Sequence, residues 1–280
     1  MASSDVSGAE KDHRAGRAQG ARCRLLGDSF CFACHSLESR ACRHSVTLLQ
    51  SLDEHRGLVV STDQGEVSGK LLMVAPLVER SLWAAGIPFL LIDVEPLHWA
   101  FRRFVQAADA RVRSLDHLGF NALRSVGTAF LADALAGQAL DKAIRRALGE
   151  LVSAFAPVPD LDPRVRWMMV EIQSDPSREL TELAAQLGLS VEHASRLFSA
   201  QAGLSLRVYA LSCKIRLAAR HLGRGHPLTE VAQMAGFSDS AHFAKVWTRC
   251  YGASPSAFFP PTRMKVDQTA LPGWIEPPAY

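Results

Sequence analysis

Between Leu25 and Val94 the apolar residues come in short runs: SFCFAC, HSVTLLQSL, GLVVST, GKLLMVAPLV and IPFLLIDV. Polar or glycine breaks at Asp53-Glu54, Asp63-Gln64-Gly65 and Gly86 separate them. Such runs between turn residues read as β-strands. Five or more at this spacing predict a small antiparallel barrel or sandwich. After Pro96 the period changes. LHWAFRRFVQAA reads as a helix, and Leu115, Leu118, Ala122, Val126 and Ala129 then follow helical spacing. Leu140, Ile144, Ala147, Leu151 and Phe155 do the same, with Gly137 between the two sets. This predicts an amphipathic helical hairpin whose stripe either covers the strands or packs on a second copy of the chain.

Pro157 and Pro159 in APVPDLD stop the hairpin and stiffen a connection over residues 156–162. Beyond it helical patterns dominate, and one of them is written twice. LTELAAQLGLS begins at Leu180 and LTEVAQMAGFS at Leu228, an offset of 48. Farther on Phe198 matches Trp247, Gly203 matches Gly252, Ser205 matches Ser254 and Tyr209 matches Phe258, an offset of 49. One residue is therefore inserted just before the second element of the second copy. Each copy reads as helix–turn–helix. Thr181 and Thr229 are expected to cap the first helix, and Ala184 and Ala232 to let two helices cross closely. Gly188 and Gly236 supply the positive φ of the turn. Ser190, and Ser238 or Asp239, are expected to cap the second helix. Its inner stripe is Ala194-Leu197-Phe198 in one copy and Phe243-Val246-Trp247 in the other.

SLRVYALSCKIRLAARHL, residues 205–222, separates the copies without Pro or Gly, capped by Ser205 and stopped by Gly223. At 1.5 Å per residue it predicts one helix roughly 27 Å long. A rod of that length sets two recognition helices about one DNA turn, ~34 Å, apart.

Composition adds little until charge is located. The 280 residues are 48% hydrophobic and 21% charged, a globular balance that excludes a fibrous or wholly disordered chain. No stretch approaches the ~20 apolar residues of a membrane span. The first 22 residues are polar and lack a signal-peptide core, so a cytoplasmic protein with reduced cysteines is expected. The formal net charge is only +3. Residues 193–253, however, hold eight basic and two acidic side chains, an excess of +6, which leaves −3 for the rest. That is the footprint of a phosphate-backbone binder. Arg216 is expected to pack or pair within its own domain.

Cys23, Cys31, Cys34 and Cys42 are spaced eight, three and eight apart, which leaves buried thiols, redox sensing or a zinc cluster open. Positions i and i+3 of a strand face opposite sides, so Cys31 and Cys34 do not chelate one ion without a turn. Cys213 and Cys250 are read as helix-packing residues.

The C-terminal motifs, LTELAAQLGLS, IRLAARHL and LTEVAQMAGFSDSAHFAKVW followed by YGASPSAF, resemble the DNA-binding domain of AraC/XylS-type transcription regulators. The resemblance covers about a third of the chain, from about Leu161 to Phe259. It implies an α+β protein in which an N-terminal cupin-like β-barrel with a helical hairpin precedes an all-α domain. That domain would hold two helix-turn-helix subdomains joined by a long helix. The resulting plan is a flexible tail at 1–22, a sensor barrel at 23–96, a hairpin at 97–155 that is a candidate for dimerisation, and a linker at 156–162. A DNA-binding domain at 163–262 and a C-terminal tail at 263–280 complete it.

The resemblance also implies the DNA-facing residues: Ser190, Glu192, His193, Ser195 and Arg196 in the first copy, and Ser240, Ala241, His242, Ala244 and Lys245 in the second. Arg196 and Lys245 stand at matching positions, where a basic side chain reaches guanine O6 and N7 or settles on a phosphate. Glu192 is either a cytosine reader or a helix-start charge, and His242 is read as packing or touching the DNA backbone. In the N-terminal half, CRHSVTLLQSLD, VAPLVERSL and LLIDVEP resemble the strand–turn–strand order of the family's sensors. Cys42 and His44, two apart and so expected on one strand face, and Arg80 are the candidate effector residues there. Arg80 stands where a metal-binding cupin would show histidine, so no metal, cofactor or catalytic group is expected. The reading is a DNA-binding transcription regulator, not an enzyme. Its implied partners are double-stranded DNA, a small-molecule effector, a second copy in a homodimer, and RNA polymerase if it activates; no membrane is implied. The alternatives are a cupin-type metal enzyme fused to a DNA-binding module and an effector-independent or thiol-redox-sensing DNA binder.

Overall fold

The computed structural model describes residues 21–26 and 28–258; most of the expected N-terminal tail and the whole C-terminal tail lie outside these. Among the described residues ten strands precede most of the helices: β1 (Arg22–Leu25), β2 (Ser29–Cys34), β3 (Leu37–Cys42), β4 (Val46–Ser51), β5 (Leu58–Thr62), β6 (Gly65–Gly69), β7 (Leu71–Val74), β8 (Glu79–Ala84), β9 (Phe89–Val94) and β10 (Val112–Ser114). They form a six-stranded sheet in the order β1-β2-β9-β4-β7-β10 and a four-stranded sheet in the order β3-β8-β5-β6. The pairing recorded between neighbours is antiparallel. The expected antiparallel β-unit is present, with more strands than apolar runs. The additional ones include LESRAC and GEVSG, which are too polar to announce themselves.

β4 and β9 lie in the middle of the larger sheet and are buried at every position, which explains their near-continuous apolar sequences. Their residues divide by face. Leu49, Phe89 and Leu91 join Leu58, Val60 and Leu82 of the smaller sheet in a core between the sheets. Val46, Leu48, Leu90 and Ile92 point the other way, into a core closed by helices. Cys31 belongs to that outer core and Cys34 to the inner one, so the i, i+3 pair does lie across the sheet.

The helices that close the outer core are α1 (Phe101–Ala107), α2 (Ala122–Leu131) and α3 (Gly137–Val152). α2 sits so near the sheet that a Cβ on its Gly127 would lie 2.6 Å from Leu52 and 2.9 Å from Leu90. The hairpin stripe thus covers the strands. The helical period read from Leu115 starts too early. Val112–Ser114 is β10, paired with β7, and Asp116–Leu118 is a short 3-10 turn. The Asp116 carboxylate pins that turn by accepting the Lys70 and Leu71 N–H groups at 2.9 and 2.7 Å.

Seven helices follow: α4 (Pro163–Ser174), α5 (Leu180–Gln186), α6 (Val191–Ala202), α7 (Leu206–Gly223), α8 (Leu228–Met234), α9 (Ser240–Tyr251) and α10 (Pro255–Phe258). Asp162 caps α4 through the Arg164 N–H at 2.8 Å, with Pro163 at the first helical position. α4, α5, α6 and the first half of α7 continue the outer core of the large sheet without a break. The second half of α7 with α8 and α9 forms a separate core around Phe243 and Trp247. Each fully buried aromatic there contributes roughly 1.5–3 kcal/mol by leaving water. The first helix pair therefore shares the outer core of the N-terminal half, whereas the second has a core of its own that Leu25 of β1 also meets.

Candidate nucleic-acid interface

The duplicated motif folds as two matched units. α5 ends in a turn at Gly188 with φ +64°, and α8 in a turn at Gly236 with φ +75°. Both are the left-handed conformation that favours glycine. The second helix of each unit, α6 or α9, ends at Gly203 (φ +78°) or Gly252 (φ +77°), 49 residues apart. Ala184 and Ala232 are buried where the helices cross. α6 is capped by Ser190, whose Oγ accepts the His193 N–H at 3.2 Å. α9 is capped by Asp239, whose Oδ1 accepts the His242 N–H at 2.7 Å. The inserted residue lies between Gly236 and this cap. Donors on its carboxylate, first the His242 N–H and then the Ser238 hydroxyl, lower the Asp239 pKa.

Thr181 and Thr229 do not cap. α5 and α8 begin at Leu180 and Leu228, two residues earlier than those caps would require, so the cap positions fall on Glu179 and Pro227, without a side-chain cap at either. The long rod α7 is 18 residues, capped by Ser205. It runs through Gly223 rather than stopping before it, and positive φ comes at Gly225.

Burial divides α6 and α9 as their stripes require. Ala194, Phe198, Phe243 and Trp247 are buried. Glu192, His193, Arg196, Ala241, His242 and Lys245 are exposed, and Ser195, Ser240 and Ala244 half-buried. Ser190 is exposed, but its hydroxyl is occupied as a cap. Neither Arg196 nor Lys245 has an ion-pair partner among the described residues, which leaves both cations available.

Part of the basic excess is structural. Arg216 is buried and donates to the Glu95 carboxylate and to the Leu26 carbonyl oxygen, both in the N-terminal half and not in its own domain. Lys214 Nζ donates to the Gly236 carbonyl oxygen at 2.7 Å, holding the second turn. The positive field of this segment is thus weaker than its formal charge.

The N-terminal candidates meet at one end of the two sheets. Arg80 is buried on β8 and its Nη2 donates to Thr47 Oγ1 at 2.9 Å. Burial, reinforced by the neighbouring Arg43, lowers its pKa to about 10. Thr47 in turn donates to Asp93 Oδ1 at 2.8 Å, Ser45 donates to the same oxygen at 2.9 Å, and Arg43 pairs with Asp93. Cys42 is buried at the end of β3. His44 does not share its strand face. It lies in the turn before β4, half-buried, with Nε2 3.8 Å from Cys250 Sγ of α9. Burial, and then Arg249, lowers the His44 pKa to about 4.

Sequence reasoning missed Arg43, Thr47 and Asp93. The available signal was one acid inside the apolar run FLLIDV. Tyr251 closes this end, with the Arg43 guanidinium 4.8 Å from its ring centre. A cavity of about 30 Å³ lined by Arg43, His44, Asp93, Glu95, Cys250 and Tyr251 remains, room for a water or two.

Five of the six thiols are held in the protonated form by burial. Burial raises Cys23, Cys34, Cys213 and Cys250 to about 12 and Cys31 well above its usual value. Among the described residues no three His, Cys, Asp or Glu side chains stand close enough to hold a metal ion, and no helix is long and apolar enough to cross a membrane.

Residues 183–260 match the family model described as a helix-turn-helix domain. The chain is 31% identical over 117 residues to the arabinose operon regulatory protein of Escherichia coli (strain K12), covering 40% of this chain and 40% of that protein. It is 27% identical over 96 residues to the transcriptional activator NphR of Rhodococcus sp, covering 34% and 28%. The matched segment is under half the length of either relative. Among solved structures, an apo ToxT from Vibrio cholerae strain SCE256 superposes with a TM-score of 0.55 at 11% identity, covering 85% of this chain and 99% of that one. ToxT from Vibrio cholerae O395 bound to (E)-4-(8-methylnaphthalen-1-yl)but-3-enoic acid superposes with a TM-score of 0.51 at 10% identity, covering 82% and 97%. These two likenesses extend the shared fold over both halves of the chain.

Proposed function

We propose, from the match of residues 183–260 to a helix-turn-helix domain and the likeness to the arabinose operon regulatory protein, that the whole protein is a sequence-specific, DNA-binding transcription regulator of the AraC type without catalytic activity. The observation that carries the reading is the pair of capped recognition helices with Arg196 and Lys245 exposed at matching positions, 49 residues apart. Two such helices on one rod suit successive major grooves on one side of the duplex. Base contacts from Glu192, His193, Ser195 and Arg196, and from Ser240, Ala241, His242, Ala244 and Lys245, would supply specificity. Phosphates would supply most of the affinity. We place it in the cytoplasm as a homodimer that contacts RNA polymerase where it activates.

Effector response belongs to the end of the sheets where Cys42, His44 and Arg80 converge. The space left there admits only water, so an effector enters by displacing the end of α9, where Cys250 and Tyr251 line it. Arg43, which lines this space, is paired with Asp93 and would have to exchange that partner for an acidic effector; the carboxylic acid bound by ToxT makes carboxylates the first probes.

Genome-wide mapping of occupied sites, paired with selection from a randomised duplex library, tests the DNA reading. A shared two-part motif with an interval near one helical turn supports it, and uniform occupancy overturns it. A thermal-shift screen in which no carboxylate or phosphate compound raises Tm would count against the effector reading.

A further inference from the structure

The inserted residue of the second unit gives its recognition helix a feature the first lacks. Gly188-Leu189-Ser190 leads into α6, whereas Gly236-Phe237-Ser238-Asp239 leads into α9. The caps, Ser190 and Asp239, correspond, and Ser238 is extra. Asp239 is a carboxylate that accepts twice, from the His242 N–H at 2.7 Å and from the Ser238 hydroxyl at 3.0 Å. A hydroxyl has one proton, and Ser238 spends it on Asp239. Ser238 Oγ also lies 3.1 Å from His242 Nδ1 and has only lone pairs left to offer it. The proton in that contact therefore sits on His242 Nδ1, and in the neutral ring Nε2 is bare. Phe237 lies edge-on to the imidazole at 5.6 Å and 82°. His242 is exposed in the first turn of α9, and Nε2 has no partner among the described residues.

We infer that His242 is a specificity-determining residue whose Nε2 accepts a hydrogen bond from the exocyclic amino group of an adenine or cytosine in the major groove. This rests on the reading of α9 as a DNA-binding helix and sharpens it. A bare nitrogen has nothing to donate to a phosphate, to guanine O6 or N7, or to thymine O4. It matches the N6 amino group of adenine and the N4 amino group of cytosine. His193 holds the same position in α6, 49 residues earlier, but what precedes its cap is Leu189, which offers no hydroxyl. The two histidines therefore form an internal comparison, one with its tautomer set and one without.

The test uses the full chain. Long-range proton–nitrogen correlation spectra, with the His242 signals assigned by their loss in His242→Ala, are expected to show protonated Nδ1 and bare Nε2. A protonated Nε2 at neutral pH overturns the inference. Selection from a randomised duplex library is expected to give one position that prefers adenine or cytosine. His242→Ala should cut that preference roughly tenfold, Ser238→Ala should weaken it, and His193→Ala should leave it in place. An unchanged preference in His242→Ala, or a uniform loss on all sequences, sinks the proposal. A wild-type protein that enriches no sequence sinks the DNA-binding reading instead, while the spectra still report the tautomer.

Discussion

Arg216, in the middle of α7, donates to the carboxylate of Glu95, which follows β9, and both side chains are buried. The pair fastens α7, the rod between α6 and α9, to the N-terminal half. Burial nonetheless outweighs the arginine and raises the Glu95 pKa. For Glu95, desolvation thus takes back more than the attraction to Arg216 gives. Removing one partner is far worse, because it strands the other charge. Arg216→Met or Glu95→Leu is expected to cost ~3–5 kcal/mol in urea unfolding. The double variant should recover much of that loss, and two additive single losses would contradict the account.

Two histidines make stability fall in mild acid. His44 and His98 both have their pKa lowered to about 4, chiefly by burial. In the unfolded chain each returns to roughly 6.5. Between those values the unfolded state binds more protons than the folded one. Stability is therefore full above about pH 6.5 and is lost as pH falls toward 4. The slope reaches at most ~1.4 kcal/mol per pH unit for each histidine. Urea midpoints at pH 6.5 and 5.0 should show the fall, with a shallower one in His44→Gln and in His98→Gln.

The helix-turn-helix pair was legible because its determinants are local: a glycine at positive φ, a cap and a small residue at each crossing, all repeated. The edge strands were not. LESRAC and GEVSG have no apolar alternation, and they exist because β8 and β5 offer them backbone partners. The early start assigned to α2 has a similar cause, since the pairing of β10 with β7 overrides a helical period in Leu115 and Leu118. Arg216 was placed correctly as packed but against the wrong partner. Nothing local in IRLAARHL points to Glu95, 121 residues away. The role of the inserted Ser238 required the side-chain geometry, because an offset of one does not reveal which atom keeps a proton.

Two glycines with the same backbone conformation should respond differently to alanine. Gly188 has φ +64° and open space where a Cβ would stand. Its replacement carries only the left-handed penalty, about 1–2 kcal/mol. Gly252 has φ +77°, and its Cβ would lie 2.6 Å from the Arg40 carbonyl oxygen of β3. Gly252→Ala must also push α9 off the sheet. Its Tm should drop more than that of Gly188→Ala, and protease cleavage near residue 252 should speed up. Equal shifts would mean that α9 does not depend on this contact.

Arg196 and Lys245 separate base reading from backbone contact. Both are exposed, and neither has an acidic partner among the described residues. Arg196→Ala and Lys245→Ala should therefore leave thermal stability nearly unchanged. Each is expected to cost ~1–3 kcal/mol of specific binding. Arginine presents a planar fork that fits guanine O6 and N7 together, whereas lysine is a point charge that a phosphate satisfies as well. Affinities on the selected duplex and on random duplex, each measured across a salt series, tell the two apart. A base contact is lost on the selected sequence alone. A phosphate contact is lost on both, and the salt slope falls by about one. Lys245→Arg adds the converse, since a gain confined to guanine at one position would show that the second helix already points its cation at the base edges.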